Sequence, residues 1–420
     1  MSISSRAEPS SILPDLQQEI ARLAATPDVK AASAWLRSQE SQFAQWQMEM
    51  ARIPAPPFGE TVRSEWLRHR FLELGLRNVH SDSVGNVFGV EGDPDKPCVA
   101  LSAHLDTVFP AGTPLNVRQE GSRLYGPGVS DNGAGSTALL AIAAALLHAR
   151  VPHALPILFI GNVGEEGEGD LRGMRHIFSD LRYRDQILYN VVLDGAGTDT
   201  IVAEALGSRR FEVIARGPGG HSWSDFGAPN PIVVLAKAIQ SFSQTSLPAA
   251  PKTTFNIGVI RGGTSVNSIP ESASMRVDIR STSMAEMESL EASLRQAVER
   301  AVQEETAASE KRISAQKRSF GLSHEMVVIG DRPAGELDRN ARILQVIRAV
   351  DAHLGNVAQV QRASTDANIP LSLGREAIAI GGGGTGGGAH TLQEWFDCNG
   401  RELALRRILL TVLALARAIS

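Results

Sequence analysis

Apolar positions recur at helical spacing from about Ser11 to Leu76. Two amphipathic stretches, around Leu16–Leu23 and Val62–Leu74, flank an Ile53-Pro54-Ala55-Pro56-Pro57 turn. Beyond it the pattern becomes short apolar runs alternating with helical segments. Residues 99–103, 157–162, 190–193 and 377–380 read as buried strands, and 135–149 and 171–178 read as helices. Alternation of this kind predicts an α/β fold with a mostly parallel sheet flanked by helices.

Near Arg209 the period changes again. A strand at 211–215, a helix at 231–242, strands at 253–260 and 273–279, a long helix at 284–304 and a strand at 312–316 give a β-α-β-β-α-β order. That order predicts an α+β, ferredoxin-like unit. The α/β pattern resumes after about Asp331, with a helix at 341–354. The expected organisation is therefore a catalytic domain of residues 1–208 and 322–420, interrupted by an inserted lid or dimerisation domain at 209–321. A chain of 420 residues is long enough to require two hydrophobic cores.

Composition narrows the function. Forty-one Lys and Arg against 46 Asp and Glu give a net charge of -5, which predicts no nucleic-acid partner. The polar N-terminus lacks the apolar core of a secretory signal, and no apolar run reaches the ~18 residues of a membrane span. A cytoplasmic protein with no membrane partner is expected. Cys98 and Cys398 cannot form a disulfide framework and read as buried thiols. The tract Gly381–Gly388 is not followed by Gly-Lys-Ser/Thr, so a phosphate-binding enzyme is a distant alternative. Those glycines are expected to let backbone approach a substrate closely.

Metal-capable residues follow four of the candidate strands. His104-Leu105-Asp106 follows the first, Glu165-Glu166 the second and Asp194 the third; the fourth enters the glycine tract and emerges at His390. Ligands of open α/β sheets bind beyond the carboxyl ends of strands. Asp131 opens the Ala-rich helix, where its carboxylate could sit by the positive helix end or merely cap it. Two imidazoles and three carboxylates without a thiolate suit a pair of divalent ions, zinc first, cobalt or manganese as alternatives. In His-x-Asp the second residue can orient the ring, which makes Asp106 a supporting candidate. Of adjacent Glu165 and Glu166, one can ligate while the other takes the proton from water.

Seven segments then carry a resemblance. SAHLDTVFP (Ser102–Pro110), GPGVSDNGAG (Gly126–Gly135), GNVGEEGEG (Gly161–Gly169), VVLDG (Val191–Gly195), GPGGHSWSDFG (Gly217–Gly227), GGTSVNSIP (Gly262–Pro270) and the final His390 resemble the M20 metallopeptidases and their deacylase relatives, in family order. The resemblance implies His104, Asp131 and Asp194 on one metal, and Asp131, Glu166 and His390 on the other. Asp131 would bridge and Glu165 would be the general base. It also implies that His221 stabilises the oxyanion, reaching a neighbouring subunit's site in a homodimer, and that Asn267 and Arg280 bind substrate. Asn267 could instead close a turn, and Arg280 could be a strand ion-pair partner. Asp366, in STDAN, could touch substrate or its amine, or shape a turn. One departure is plain: Asp131 is followed by Asn132-Gly133, without the lysine common shortly after that position.

The expected function is a two-metal hydrolase that cleaves a peptide or peptide-like amide of a small substrate, with Glu165 activating metal-bound water. The N-terminal layout and HSWSDFG lean toward a tripeptidase-type aminopeptidase. An N-acyl amino acid deacylase or a carboxypeptidase is the alternative within the family, and a non-catalytic metal-binding scaffold the alternative outside it. An intact Glu165 speaks against the scaffold.

Overall fold

The computed structural model describes residues 14–313 and 321–417. The chain divides into two compact units, Met1–Ala205 with Glu336–Ser420, and Leu206–Gly335. The smaller unit thus extends further in both directions than the 209–321 read from the sequence.

In the larger unit the main sheet runs in the order Arg77–Ser81, Val87–Glu91, Ile157–Asn162, Cys98–His104, Ile187–Leu193, Glu376–Ile380, Thr200–Ala205. The four members from Ile157–Asn162 to Glu376–Ile380 run parallel to one another, and the strands on either side of this set pair with it antiparallel. Register places His104 beside Asn162, and Leu193 beside Ile380, so their carboxyl ends lie along one edge. Every residue of Cys98–His104 is buried, the continuous apolar run expected of a central parallel strand. The helix Gly133–Ala149 packs on this strand and on Ile187–Leu193. It is apolar all round and buried from Gly133 to Leu146 because helices Pro27–Ser38 and Glu40–Ala51 cover it as well. Both cysteines are free and buried. No helix among the described residues is long and apolar enough to cross a membrane.

Two expectations about this unit change. The N-cap of Gly133–Ala149 is Asn132, whose side chain accepts from the Gly135 N–H, so Asp131 precedes the cap and its carboxylate is not the capping group. The glycine tract approaches its own chain: a Cβ on Gly382 would meet the Ala134 carbonyl oxygen at 2.5 Å, and one on Gly386 the Ser130 hydroxyl at 2.2 Å. Close packing onto the Asp131 segment therefore accounts for Gly382 and Gly386.

The smaller unit has a four-stranded antiparallel sheet in the order Thr254–Gly262, Ser272–Ser281, Gly207–Arg216, Ser323–Arg332. Helices Pro231–Ser243 and Met284–Ile313 close a core that includes Phe211, Val213, Leu235, Met275 and Leu294. The strand expected at 312–316 is not there: Arg312 and Ile313 end the long helix, and residues 314–316 lie outside the described residues. The fourth strand is Ser323–Arg332. The helix continues because buried Glu305 is paired with Lys237 at 2.8 Å and Arg312 at 3.0 Å, which holds a stretch that apolar periodicity alone would not.

Candidate metal centre

The carboxyl edge of the sheet gathers six of the side chains picked out from the sequence. His104, Asp131 and Asp194 form one group whose donor atoms lie within 4.8 Å of one another; Asp131, Glu166 and His390 form a second. His104 Nε2 lies 3.3 Å from Asp131 Oδ1 and 3.7 Å from Asp194 Oδ1. His390 Nε2 lies 3.1 Å from Asp131 Oδ2 and 3.1 Å from Glu166 Oε1. Asp131 thus turns one oxygen to each histidine, which is the arrangement a bridging carboxylate requires.

Backbone clamps hold these groups. The buried carboxylate of Asp106 accepts the Glu165 and Glu166 N–H groups at 2.9 and 2.7 Å. Its backbone oxygen lies 3.1 Å from His104 Nδ1, and its Oδ1 lies 3.6 Å from that nitrogen. Asp106 therefore orients the ring and also fixes the peptide that carries both glutamates. Asn132 ties the Asp131 segment to the strand that precedes Asp194, donating to the Leu193 oxygen at 2.8 Å and accepting from the Gly195 N–H at 3.1 Å. A Cβ on Gly135 would fall 2.5 Å from that same Leu193 oxygen, so only glycine permits this approach.

Sequence reasoning missed Glu394. Fully buried, it accepts N–H groups from Gly128, Ser130 and Asp131 at 2.7, 2.7 and 2.8 Å. Gln47 donates to the Val129 oxygen in the same segment and itself accepts from Arg401 at 2.6 Å. Glu394 lies only four residues beyond His390, but a lone glutamate beside Trp395 gives no periodic signal. Asp366 is also buried; it accepts from Asn162 Nδ2 at 2.6 Å at the end of the Ile157–Asn162 strand. Burial pushes its carboxyl up to about 7.

Electrostatics reflect the crowding. Burial would lower His104, yet Asp106, Asp131 and Asp194 together raise it well above the usual imidazole value. The bond to Asp131 raises His390 to about 9. Burial would raise Asp131, but the two histidines hold it well below the carboxylate range. Burial, with Asp131 and Asp106 nearby, pushes Glu166 up to about 7. An oxygen- and imidazole-rich cluster that binds positive charge this strongly fits divalent metal ions. Glu165 is buried and shares a further donor group with His104 and Glu166.

The remaining candidates lie in the smaller unit. His221 is exposed, on a two-residue strand paired with Ser268–Ile269. Its Nδ1 accepts the Trp223 N–H at 3.1 Å, so a neutral ring carries its proton on Nε2. The Asn267 carbonyl accepts the Ser222 N–H at 3.0 Å, which sets Asn267 beside this hairpin, and its exposed side chain accepts from Ser265. Arg280 donates to Asp278 at 2.7 Å, the strand ion pair that was its alternative reading.

Residues 204–306 match the model of the M20 peptidase dimerisation domain, and residues 86–210 match that of peptidase family M28. The first match shows an M20-type dimerisation domain at residues 204–306. Among curated relatives of this chain, a protein named "Probable carboxypeptidase" from Aspergillus clavatus is 32% identical over 206 residues, 44% of each chain. One of the same name from Ajellomyces capsulatus is 31% identical over 209 residues, 45% of this chain and 46% of its own. The matched region spans less than half the length of these relatives. Solved structures agree in fold over much more of the chain. The aminopeptidase PepT of Bacillus cereus superposes with a TM-score of 0.70 at 21% identity, covering 90% of this chain and 99% of PepT. A tripeptidase of Staphylococcus aureus gives 0.69 at 20% identity, covering 90% and 98%. The YXEP protein of Bacillus subtilis, described as a dinuclear metal binding peptidase from the M20 family, gives 0.62 at 14%, covering 90% and 99%.

Proposed function

We propose that this protein is an M20-type peptidase that hydrolyses an amide bond of a small peptide at a two-metal centre. The observation that carries the reading is Asp131, which directs one carboxylate oxygen to the His104–Asp194 side and the other to the Glu166–His390 side. His104, Asp131 and Asp194 would hold one divalent ion, and Asp131, Glu166 and His390 the other. Zinc suits this donor set, and cobalt or manganese are accepted by the same atoms. When bound, the ions supply Lewis acidity toward a carbonyl oxygen and toward water.

The chain's own residues do the rest. Asp106 anchors the N–H groups of both glutamates, so Glu166 can stay with the ligand set while Glu165 faces the attacking water. Glu165 takes a proton from that water and returns it to the leaving nitrogen. His221 is assigned the oxyanion donor through its Nε2–H, given by a second copy of the chain in a homodimer; the dimerisation-domain match supports this. Such a donor contributes about 3 kcal/mol to the transition state. Asn267, beside His221, is assigned to the substrate carbonyl. Arg280 is assigned to the substrate carboxylate and would have to exchange its partner Asp278. A cytoplasmic location belongs to the same reading.

The structural neighbours named as an aminopeptidase and a tripeptidase support cleavage at a free amino terminus. A second reading, carboxypeptidase, is favoured by the names of the sequence relatives. Metal analysis of the purified protein, followed by assays of free-amine tripeptides, amino-blocked peptides and N-acetyl amino acids, tests both. Two divalent ions per chain and cleavage of the free-amine series are expected. Full metal loading without turnover of any amide would overturn the enzyme reading.

A further inference from the structure

We propose that Phe58 is a specificity-determining residue, its ring forming the surface that receives an apolar or aromatic substrate side chain next to the scissile bond. The inference rests on the peptidase reading above.

Phe58 is 68% exposed, an unusual position for a large apolar side chain in a loop held so firmly. The loop is fastened to the metal-bearing segments at several points. The Ala55 oxygen accepts the Thr107 N–H at 2.9 Å, one residue beyond Asp106. Buried Arg63 donates to the Ile53 oxygen and, at 2.7 Å, to the Leu105 oxygen. Ile53, Ala55, Leu105 and Thr107 thus form one tied pair of segments, and His104 and Asp106 move only with them.

The ring itself is backed by a cation. The Arg172 guanidinium stands over it at 5.0 Å from the centroid. Arg172 is locked in turn by buried Glu60 at 2.6 Å and by the Val84 oxygen at 2.7 Å. The same side chain lies across Gly164, the residue before Glu165: a Cβ there would meet Arg172 Cγ at 2.5 Å. Arg172 therefore links the two, its guanidinium on the Phe58 ring and its stem against Gly164, the residue before Glu165. Phe58 also holds a φ of 70°, a left-handed conformation that a bulky residue seldom adopts. Unfavourable backbone of that kind concentrates where it positions a functional group.

An exposed ring, fixed from behind by the arginine that also packs on the residue before Glu165, offers its free face to a ligand. The arginine on its other face disfavours a second cation there, and the Glu60 pairing leaves little net positive charge to draw an anion. An apolar or aromatic side chain is the ligand that remains, gaining from both area and ring stacking.

The test uses Phe58→Gly, because glycine accepts the left-handed backbone while removing the ring, with Phe58→Leu as the variant that keeps apolar bulk. Turnover of Gly-Gly-Gly, Leu-Gly-Gly, Phe-Gly-Gly, Gly-Gly-Leu and Gly-Gly-Phe is compared. Equilibrium binding of the same peptides is then measured calorimetrically on metal-loaded Glu165→Gln protein, with and without Phe58→Gly. Loss of the ring is expected to reduce kcat/KM and binding about five- to tenfold for peptides with the apolar residue at one particular position. Gly-Gly-Gly should change by less than about twofold, and Phe58→Leu should retain part of the preference. Preference for apolar peptides that survives Phe58→Gly, a uniform loss across the panel, or binding of Leu and Phe peptides no tighter than Gly-Gly-Gly before the change would overturn the inference. Failure of the parent enzyme to turn over any peptide would defeat the peptidase reading alone, since the binding comparison needs no turnover.

Discussion

Glu394→Gln probes how the bridging carboxylate is held. The native carboxylate accepts three N–H groups, from Gly128, Ser130 and Asp131, at 2.7 to 2.8 Å in a fully buried setting. A glutamine carbonyl can satisfy at most two of them, and its amide then turns a donor toward the third. Each buried donor left unmet costs about 1–3 kcal/mol. The protein should remain folded, since typical domains have about 5–15 kcal/mol in hand. The strain falls on the segment that carries Asp131, and changes behind a metal ligand commonly weaken metal affinity about 10- to 100-fold. Because Asp131 faces both His104 and His390, the two ions should weaken together. Chelator-competition titration of the metal-free variant, with circular dichroism as the control for folding, reads this out. Unchanged affinities, or loss of one ion with the other held at its original strength, would refute the argument.

Further outcomes are expected. Glu165→Gln should lower kcat about 10²- to 10⁴-fold and keep the metal content of the parent protein; metal loss would instead make Glu165 a ligand. His221→Ala should lower kcat about 10²-fold without changing metal content. If His221 acts on the partner's site, mixed dimers of His221→Ala and Glu165→Gln subunits should regain activity that neither parent has. The buried pair Arg407–Asp351, bonded at 2.6 and 2.8 Å, should make Asp351→Ala cost about 3–5 kcal/mol in denaturant unfolding. Replacing both partners with apolar residues should recover much of that loss, because no charge is then stranded.

Four of the five proposed metal ligands were legible because they come after buried strands, and strand order in an α/β sheet brings such positions together; Asp131 was legible from its place just before the Ala-rich helix. The residues that hold them were not. Glu394 and Asn132 act through backbone N–H and carbonyl groups supplied by segments distant in sequence, and no local pattern encodes those partners. The glycine tract was read as backbone approaching substrate, whereas Gly382 and Gly386 in it lie against Ala134 and Ser130 of the same unit. The end of the long helix failed for a related reason. Past Glu304 the apolar period fades, and pairing of Glu305 with Lys237 and Arg312 takes over the work of holding the segment. His221, Asn267 and Arg280 came from motif resemblance, and only their local surroundings follow from the fold of the smaller unit.

The place of the Glu376–Ile380 strand in the main sheet has a consequence for how the protein comes into being. It lies between Ile187–Leu193 and Thr200–Ala205, whose residues leave the ribosome long before it does. Until it inserts, the sheet has a gap, and His390 cannot join Asp131 and Glu166. Pairings between such distant segments form slowly and late, while a contiguous unit such as Leu206–Gly335 can fold during synthesis. A nascent chain can therefore assemble at most the His104, Asp131 and Asp194 half of the centre. Completion of the second half waits for His390, so on the proposed two-metal reading a growing chain that has not yet reached it would be kept from acting as a hydrolase.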